Sequence, residues 1–156
     1  MPDNYFDSLI EELLQGPCMV ADILPDQVPA EAGGQYAAVE QYYLQPKHLK
    51  KLRRKFARIL LGLNCYADMY VSWDAGDHWE RNPDPETFVK KILRFSGHEY
   101  LRVIFETEKV MLDLDHTDTY MTVYDPGNCF TERIGRLAAA EGLFLWAPPE
   151  SSPESA

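Results

Sequence analysis

The chain has 156 residues, with 25 Asp and Glu against 15 Lys and Arg and a formal net charge of −10. One domain with a sizeable core is the expectation at this length, and no apolar run reaches the roughly 18 residues of a membrane helix. The acidic balance argues against broad nonspecific binding to nucleic acid, which depends on neutralising phosphates.

The charge is unevenly placed. The first 46 residues hold eight Asp and Glu and no Lys or Arg, whereas Lys47–Arg58 (KHLKKLRRKFAR) holds seven of the 15 cations and no carboxylate. A clustered field acts on partners at a distance in a way that interspersed charge does not.

In chain order, Tyr5, Phe6, Leu9, Ile10, Leu13 and Leu14 recur at helical spacing, and Gly16-Pro17 ends that segment. The N-terminus carries Asp3, Asp7, Glu11 and Glu12 where a secretory leader would be basic and then apolar, so a cytoplasmic location is the expectation. A short apolar run from Cys18 to Leu24 has strand length, residues 25–35 are a Pro- and Gly-rich loop, and the aromatic, β-branched stretch Tyr36–Leu44 reads as a second strand.

Pro46 suits the first turn of a helix. Leu49, Leu52, Phe56, Ile59, Leu60 and Leu63 then fall within an arc of roughly 100°. Lys47, Lys50, Lys51, Arg54, Lys55 and Arg58 take the opposite side, Arg53 flanks the stripe, and Leu61 falls on the charged side. A helix over 46–64 follows, with Asn64 expected as a left-handed cap. A strand is expected over Ala67–Trp73, then a polar loop over Asp74–Pro85. A third helix opens at Asp84-Pro85, with Phe88, Val89, Ile92 and Phe95 inward and Gly97 ending it.

Residues 99–124 read as an antiparallel three-strand meander with short turns near Thr107-Glu108 and Thr117-Asp118. A fourth helix is expected after Pro126-Gly127, with Asn128 as N-cap and Phe130, Ile134, Leu137 and Ala138 buried. A last strand is Leu143–Trp146, and residues 147–156 have the composition of a disordered tail. The expected fold is α+β: one globular domain over 1–146, with a mainly antiparallel or mixed sheet of six to seven strands covered by about four helices.

Four groups of residues could carry function. The first is the basic face, Lys47, Lys50, Lys51, Arg54, Lys55 and Arg58. Like charges at i,i+3 and i,i+4 repel, so this face is either balanced by acidic neighbours, simply solvated, or a docking face for phosphate or acidic surfaces. Its one aromatic residue, Phe56, points to the core, which disfavours base stacking. The second is the loop carrying Trp73, Asp74, Asp77, His78, Trp79, Glu80 and Arg81. Exposed Trp and Arg there would make a binding hot spot, a His beside carboxylates could act as general base, and the bland alternative is that both tryptophans pin the loop to the core. The third is Asp113, Asp115 and His116. Asp113 and Asp115 share one strand face, either as metal-ligating groups or as a solvent-facing strand surface that ends in an Asp-rich turn. The fourth is Cys129, at the start of the fourth helix. With Cys18 and Cys65 it forms no metal-binding pattern, and reduced, buried thiols are the expectation.

The leading functional expectation is a small acidic interaction domain, of the immunity or inhibitor type, that binds a basic protein such as a toxin or nuclease. One alternative is a hydrolase-like or metal-binding enzyme using Asp113, Asp115 and His116, or Asp77, His78 and Glu80. Another is phosphate or nucleic-acid binding through residues 47–58. No cofactor motif and no metal-binding motif is present. A protein partner is expected ahead of nucleic acid.

Overall fold

The computed structural model describes residues 4–125 and 127–149. The expected tail beyond residue 149 therefore lies outside the described residues. The elements run α1 (Asp7–Leu14), β1 (Cys18–Asp22), α2 (Tyr36–Leu44), α3 (Pro46–Asn64), β2 (Tyr70–Ser72), β3 (Glu80–Arg81), α4 (Pro85–Ile92), β4 (Tyr100–Phe105), β5 (Val110–Asp115), β6 (Met121–Tyr124), α5 (Asn128–Ala140) and β7 (Phe144–Trp146). The seven strands form one sheet in the order β3-β2-β4-β5-β6-β1-β7, and every pair of neighbouring strands is antiparallel. The fold is the expected α+β domain.

Register explains how the sheet packs on both sides. Side chains alternate between faces with a period of two. One face presents Val71, Val103, Leu112, Val123 and Met19 in a row across neighbouring strands. With Leu101, Leu114 and Met121 they meet Leu52, Phe56, Ile59, Leu60 and Leu63 of α3, Phe88 and Ile92 of α4, and Phe130 and Ile134 of α5. Each buried Leu, Ile or Phe stabilises the fold by about 1.5–3 kcal/mol, so this three-helix layer supplies most of the core.

The opposite face presents two rows. Tyr70, Ile104, Met111, Tyr124 and Cys18 form one; Ser72, Arg102, Asp113, Thr122, Val20 and Trp146 form the other. The short helix α1 covers part of the first row with Phe6, Ile10 and Leu13 packed on Ile104 and Met111. The second row is polar in its middle and is not covered by α1.

Several expectations are corrected. Tyr36–Leu44 is the helix α2, not a strand; none of its residues is buried, so neither periodicity is imposed on it. The strand expected over Ala67–Trp73 contracts to Tyr70–Ser72. Asn64 is the last residue of α3 rather than a left-handed cap: Cys65 continues in a right-handed helical conformation, and the Asn64 amide donates to Ala67 O and Asn82 Oδ1. The helix α4 stops at Ile92, ahead of Gly97, which sits at φ +66° in the following turn. Asn128 opens α5 itself, and the N-cap position belongs to Gly127. There Asp125 takes the polar load, accepting from the Gly127 N–H and the Thr131 hydroxyl.

Candidate functional site

The basic stretch is open to solvent. On α3, Lys47, Lys50, Lys51, Arg54 and Arg58 are exposed and Lys55 is half-buried. Among the described residues, only Arg58 of these six has a carboxylate within ion-pair distance, Glu141 at 3.1 Å. Arg53 is different in kind: it is buried, donates to Phe95 O at 2.8 Å and His116 O at 2.9 Å, and lies over the Phe95 ring at 4.3 Å. One cation of the run is thus a structural clamp between α3, the end of α4 and the β5–β6 turn.

The fold extends the basic surface beyond what the local run shows. Of the 15 Lys and Arg, seven lie on α3 (the buried Arg53 among them), three on α4 and the turn after it (Lys90, Lys91, Arg94), and two on α5 (Arg133, Arg136). All twelve belong to the helical layer on one side of the sheet. That layer carries few carboxylates, Asp84 at the N-cap of α4, Glu86 on α4, Glu132 on α5 and Glu141 at the C-cap of α5. Sequence reasoning missed this because α4 and α5 are distant in the chain; only their packing on α3 brings their cations beside it.

Between α3 and α4 runs an open groove of about 460 Å³. Its floor is apolar, made of Leu61, Val89, Leu93 and Pro85, and its rims carry Arg54, Lys90 and Glu86. The misplaced Leu61 of the helical stripe is thereby accounted for: it faces α4 across this groove.

The 73–81 loop is anchored from both sides. Trp73 packs between Phe88 and Phe95, with Lys91 Nζ 5.1 Å from its ring centre. Trp79 stacks edge-on to Phe6 and donates its indole N–H to Gly76 O. Asp74 organises the turn, accepting from the Ser72 hydroxyl and from the backbone N–H of Asp77 and His78; its other oxygen lies 2.6 Å from His78 Nδ1. Partial burial pushes the Asp74 carboxyl up, but the hydrogen bonds from His78 and Ser72 outweigh it and hold the group down at about 2. The exposed polar residues of the loop are Asp77, His78, Glu80 and Arg81; Arg81 pairs with Asp68 at 2.7 Å.

Asp113 is not on a solvent-facing surface. It is 3% exposed, and both its oxygens are taken by Arg102 (3.0 and 2.8 Å) and the Tyr100 hydroxyl (3.1 Å). Asp115 shares its face as expected, and His116 Nδ1 lies 2.9 Å from Asp115 Oδ1. No group of three or more His, Cys, Asp or Glu among the described residues is placed to hold a metal ion. The cysteines are not buried as expected: Cys65 and Cys129 are exposed and Cys18 is half-buried.

On the sheet face opposite the helical layer, beyond α1, lies a cleft of about 430 Å³. Val20 and Thr122 form its floor. Tyr36 of α2, Tyr120 and Trp146 line it with aromatic rings, and Asp22 and Asp26 add carboxylates. No Lys, Arg or His among the described residues lines it.

No helix among the described residues is long and apolar enough to cross a membrane. Comparison with known proteins finds no matching family model, no similar curated protein and no similar solved structure.

Proposed function

We propose that this chain is a protein-interaction domain whose basic helical layer docks an acidic protein segment. One observation carries the reading: a row of exposed, largely unpaired cations on α3 borders an apolar-floored groove. Unpaired like charges on one helix face cost a few tenths of a kcal/mol per i,i+4 pair, and an acidic partner would offset that cost. The apolar floor favours protein over nucleic acid. A segment with carboxylates on one side and apolar side chains on the other matches rim and floor together, whereas a phosphate backbone would engage the rim alone.

The test is binding of acidic amphipathic peptides, with duplex DNA of equal charge as the comparison. Binding of peptide should weaken with salt. It should fail when Lys50, Lys51, Arg54 and Lys55 are all changed to Glu, and also when Leu61 is changed to Asp. Tighter binding of DNA that is indifferent to Leu61→Asp would replace this reading with the nucleic-acid one. Peptide binding unchanged by the fourfold reversal would end it.

The reading expected first from the sequence, an acidic body that captures a basic partner, has a separate observation in its favour, the carboxylate-bearing cleft on the other side of the sheet.

A further inference from the structure

The cleft beside β1 joins three features. It has aromatic walls: Tyr36 of α2, Tyr120 just before β6 and Trp146 of β7 reach one space. None of the three rings stacks on another among the described residues, so their faces are not used up in mutual contacts. It holds a half-buried carboxylate, Asp22, at the end of β1. And no Lys or Arg among the described residues lines it.

Asp22 accepts from the Ile23 N–H at 2.7 Å. Burial raises its pKa above the ordinary carboxylate range, opposed by the Ile23, Trp146 and Leu24 N–H groups, and no Lys or Arg contributes. The Trp146 indole nitrogen is buried without a well-formed hydrogen bond, although it lies close enough to favour the ionised Asp22. The surroundings repeat the pattern. Asp118, in the β5–β6 turn, feels the negative charges of Asp115 and Glu40, opposed by the Asp115 backbone N–H and by His116. Tyr36 and Tyr120 both feel Asp22 and Glu40.

A half-buried carboxylate without a counter-charge is costly. Aromatic faces attract a cation through their quadrupole. A single positive group with an apolar surface satisfies both.

The geometry points to this cleft being a socket for an alkylammonium group, held by the Asp22 carboxylate and the faces of Tyr36, Tyr120 and Trp146. The shared chemistry has two sources, a free quaternary amine, or a lysine side chain presented by a basic protein. The site lies across the sheet from the basic helical layer, so it stands or falls independently of the proposed docking of an acidic segment.

The experiment follows the Trp146 indole N–H by NMR, assigned with Trp146→Phe, in the full chain at constant ionic strength. Three probes are titrated: tetramethylammonium, N-acetyl-lysine methylamide, and the neutral isostere 3,3-dimethylbutanol. Either ammonium probe is expected to shift the signal with a dissociation constant on the order of 1 mM. The neutral isostere should bind about tenfold more weakly or worse, and Asp22→Asn should weaken the ammonium probe about tenfold. Because Asp22 also supports the local backbone, Tyr36→Leu on the exposed helix α2 serves as a second variant and should weaken binding severalfold with the remaining spectrum unchanged. A response to tetramethylammonium alone assigns a small-molecule source; a response to the lysine derivative, a protein one. No shift with either probe overturns the proposal. So does equal binding of the neutral isostere, or binding indifferent to both variants.

Discussion

The Arg102 guanidinium holds the Asp113 carboxylate on the neighbouring strand by two parallel bonds, Nε to Oδ1 at 3.0 Å and Nη2 to Oδ2 at 2.8 Å, with side chains only 13% and 2% exposed. The two residues are direct partners in the β4–β5 register, and the Tyr100 hydroxyl adds a third donor. A buried pair of this kind stabilises little against apolar replacements but is costly to break. Asp113→Ala should therefore destabilise by about 3–5 kcal/mol, leaving Arg102 buried without its counter-charge. The double variant Arg102→Met with Asp113→Leu should recover most of that loss. Urea unfolding of Asp113→Ala, of Arg102→Met and Asp113→Leu singly, and of the double variant checks this, and additive effects of the last two substitutions would contradict it.

Arg53 lies within the basic stretch but acts as part of the interior. Its two donations reach carbonyls on separate elements, Phe95 O and His116 O. Arg53→Met should preserve most of the apolar stem packing yet leave both acceptors short of a donor. The expected cost is about 1–3 kcal/mol. Arg53→Lys should recover only part of it, because an ammonium lacks the planar fork that spans both acceptors. Thermal unfolding of both variants distinguishes the clamp from a solvated cation, for which neither change would matter.

These two arginines mark where sequence was sufficient and where it was not. The helix α3 was legible to the residue, because six apolar side chains repeat on one face and Pro46 fixes its start. The meander was legible because its turns are short and its strands apolar. The two-sided packing of the sheet was not: in β5, Val-Met-Leu-Asp-Leu-Asp shows alternation at its end, and alternation normally marks a solvated face. Only the position of Arg102 opposite Asp113 shows that the carboxylate is interior. The helix α2 is illegible in the sequence for a different reason. With no buried residue it has no face to report, and Tyr36, Val39, Tyr42 and Tyr43 outweighed Ala37, Ala38, Glu40 and Gln41 in a reading by propensity. The basic layer was half legible, as a helix face in the sequence and as a three-helix surface only once the fold joins it.

That surface has a stability signature apart from any partner. Arg54 lies four residues from both Lys50 and Arg58, all exposed. Arg54→Glu turns two repulsive i,i+4 relations into attractive ones, each worth a few tenths of a kcal/mol. The variant should be as stable as the parent or more so, by up to about 1 kcal/mol at low salt, and the gain should vanish near 1 M salt, where the Debye length is about 3 Å. The same variant should bind an acidic partner more weakly. A stability gain together with a binding loss separates a docking face from a structural one; destabilisation would show that Arg54 is held by contacts within the fold.

The acidic side predicts a stability that rises on mild acidification. Burial, reinforced by the Asp115 and Glu40 carboxylates and opposed by the Asp115 backbone N–H and His116, pushes Asp118 up to about 6 from an ordinary 3.8. With its folded-state value above its unfolded one, the folded protein binds the extra proton between those two values. Stability contributed by this group therefore increases as pH falls from above 6 toward 4 and is lost again as pH rises. Asp74 acts in the opposite sense and at lower pH: held at about 2, its contribution is present above 3.8 and is lost as pH falls toward 2. Urea midpoints for the wild type should thus increase between pH 7.5 and pH 4.5. Asp118→Asn should be more stable than wild type at pH 7.5, with the advantage disappearing by about pH 4. An Asp118→Asn profile parallel to wild type over that range would mean that the carboxylate titrates normally and that the negative cluster around the cleft is screened by solvent.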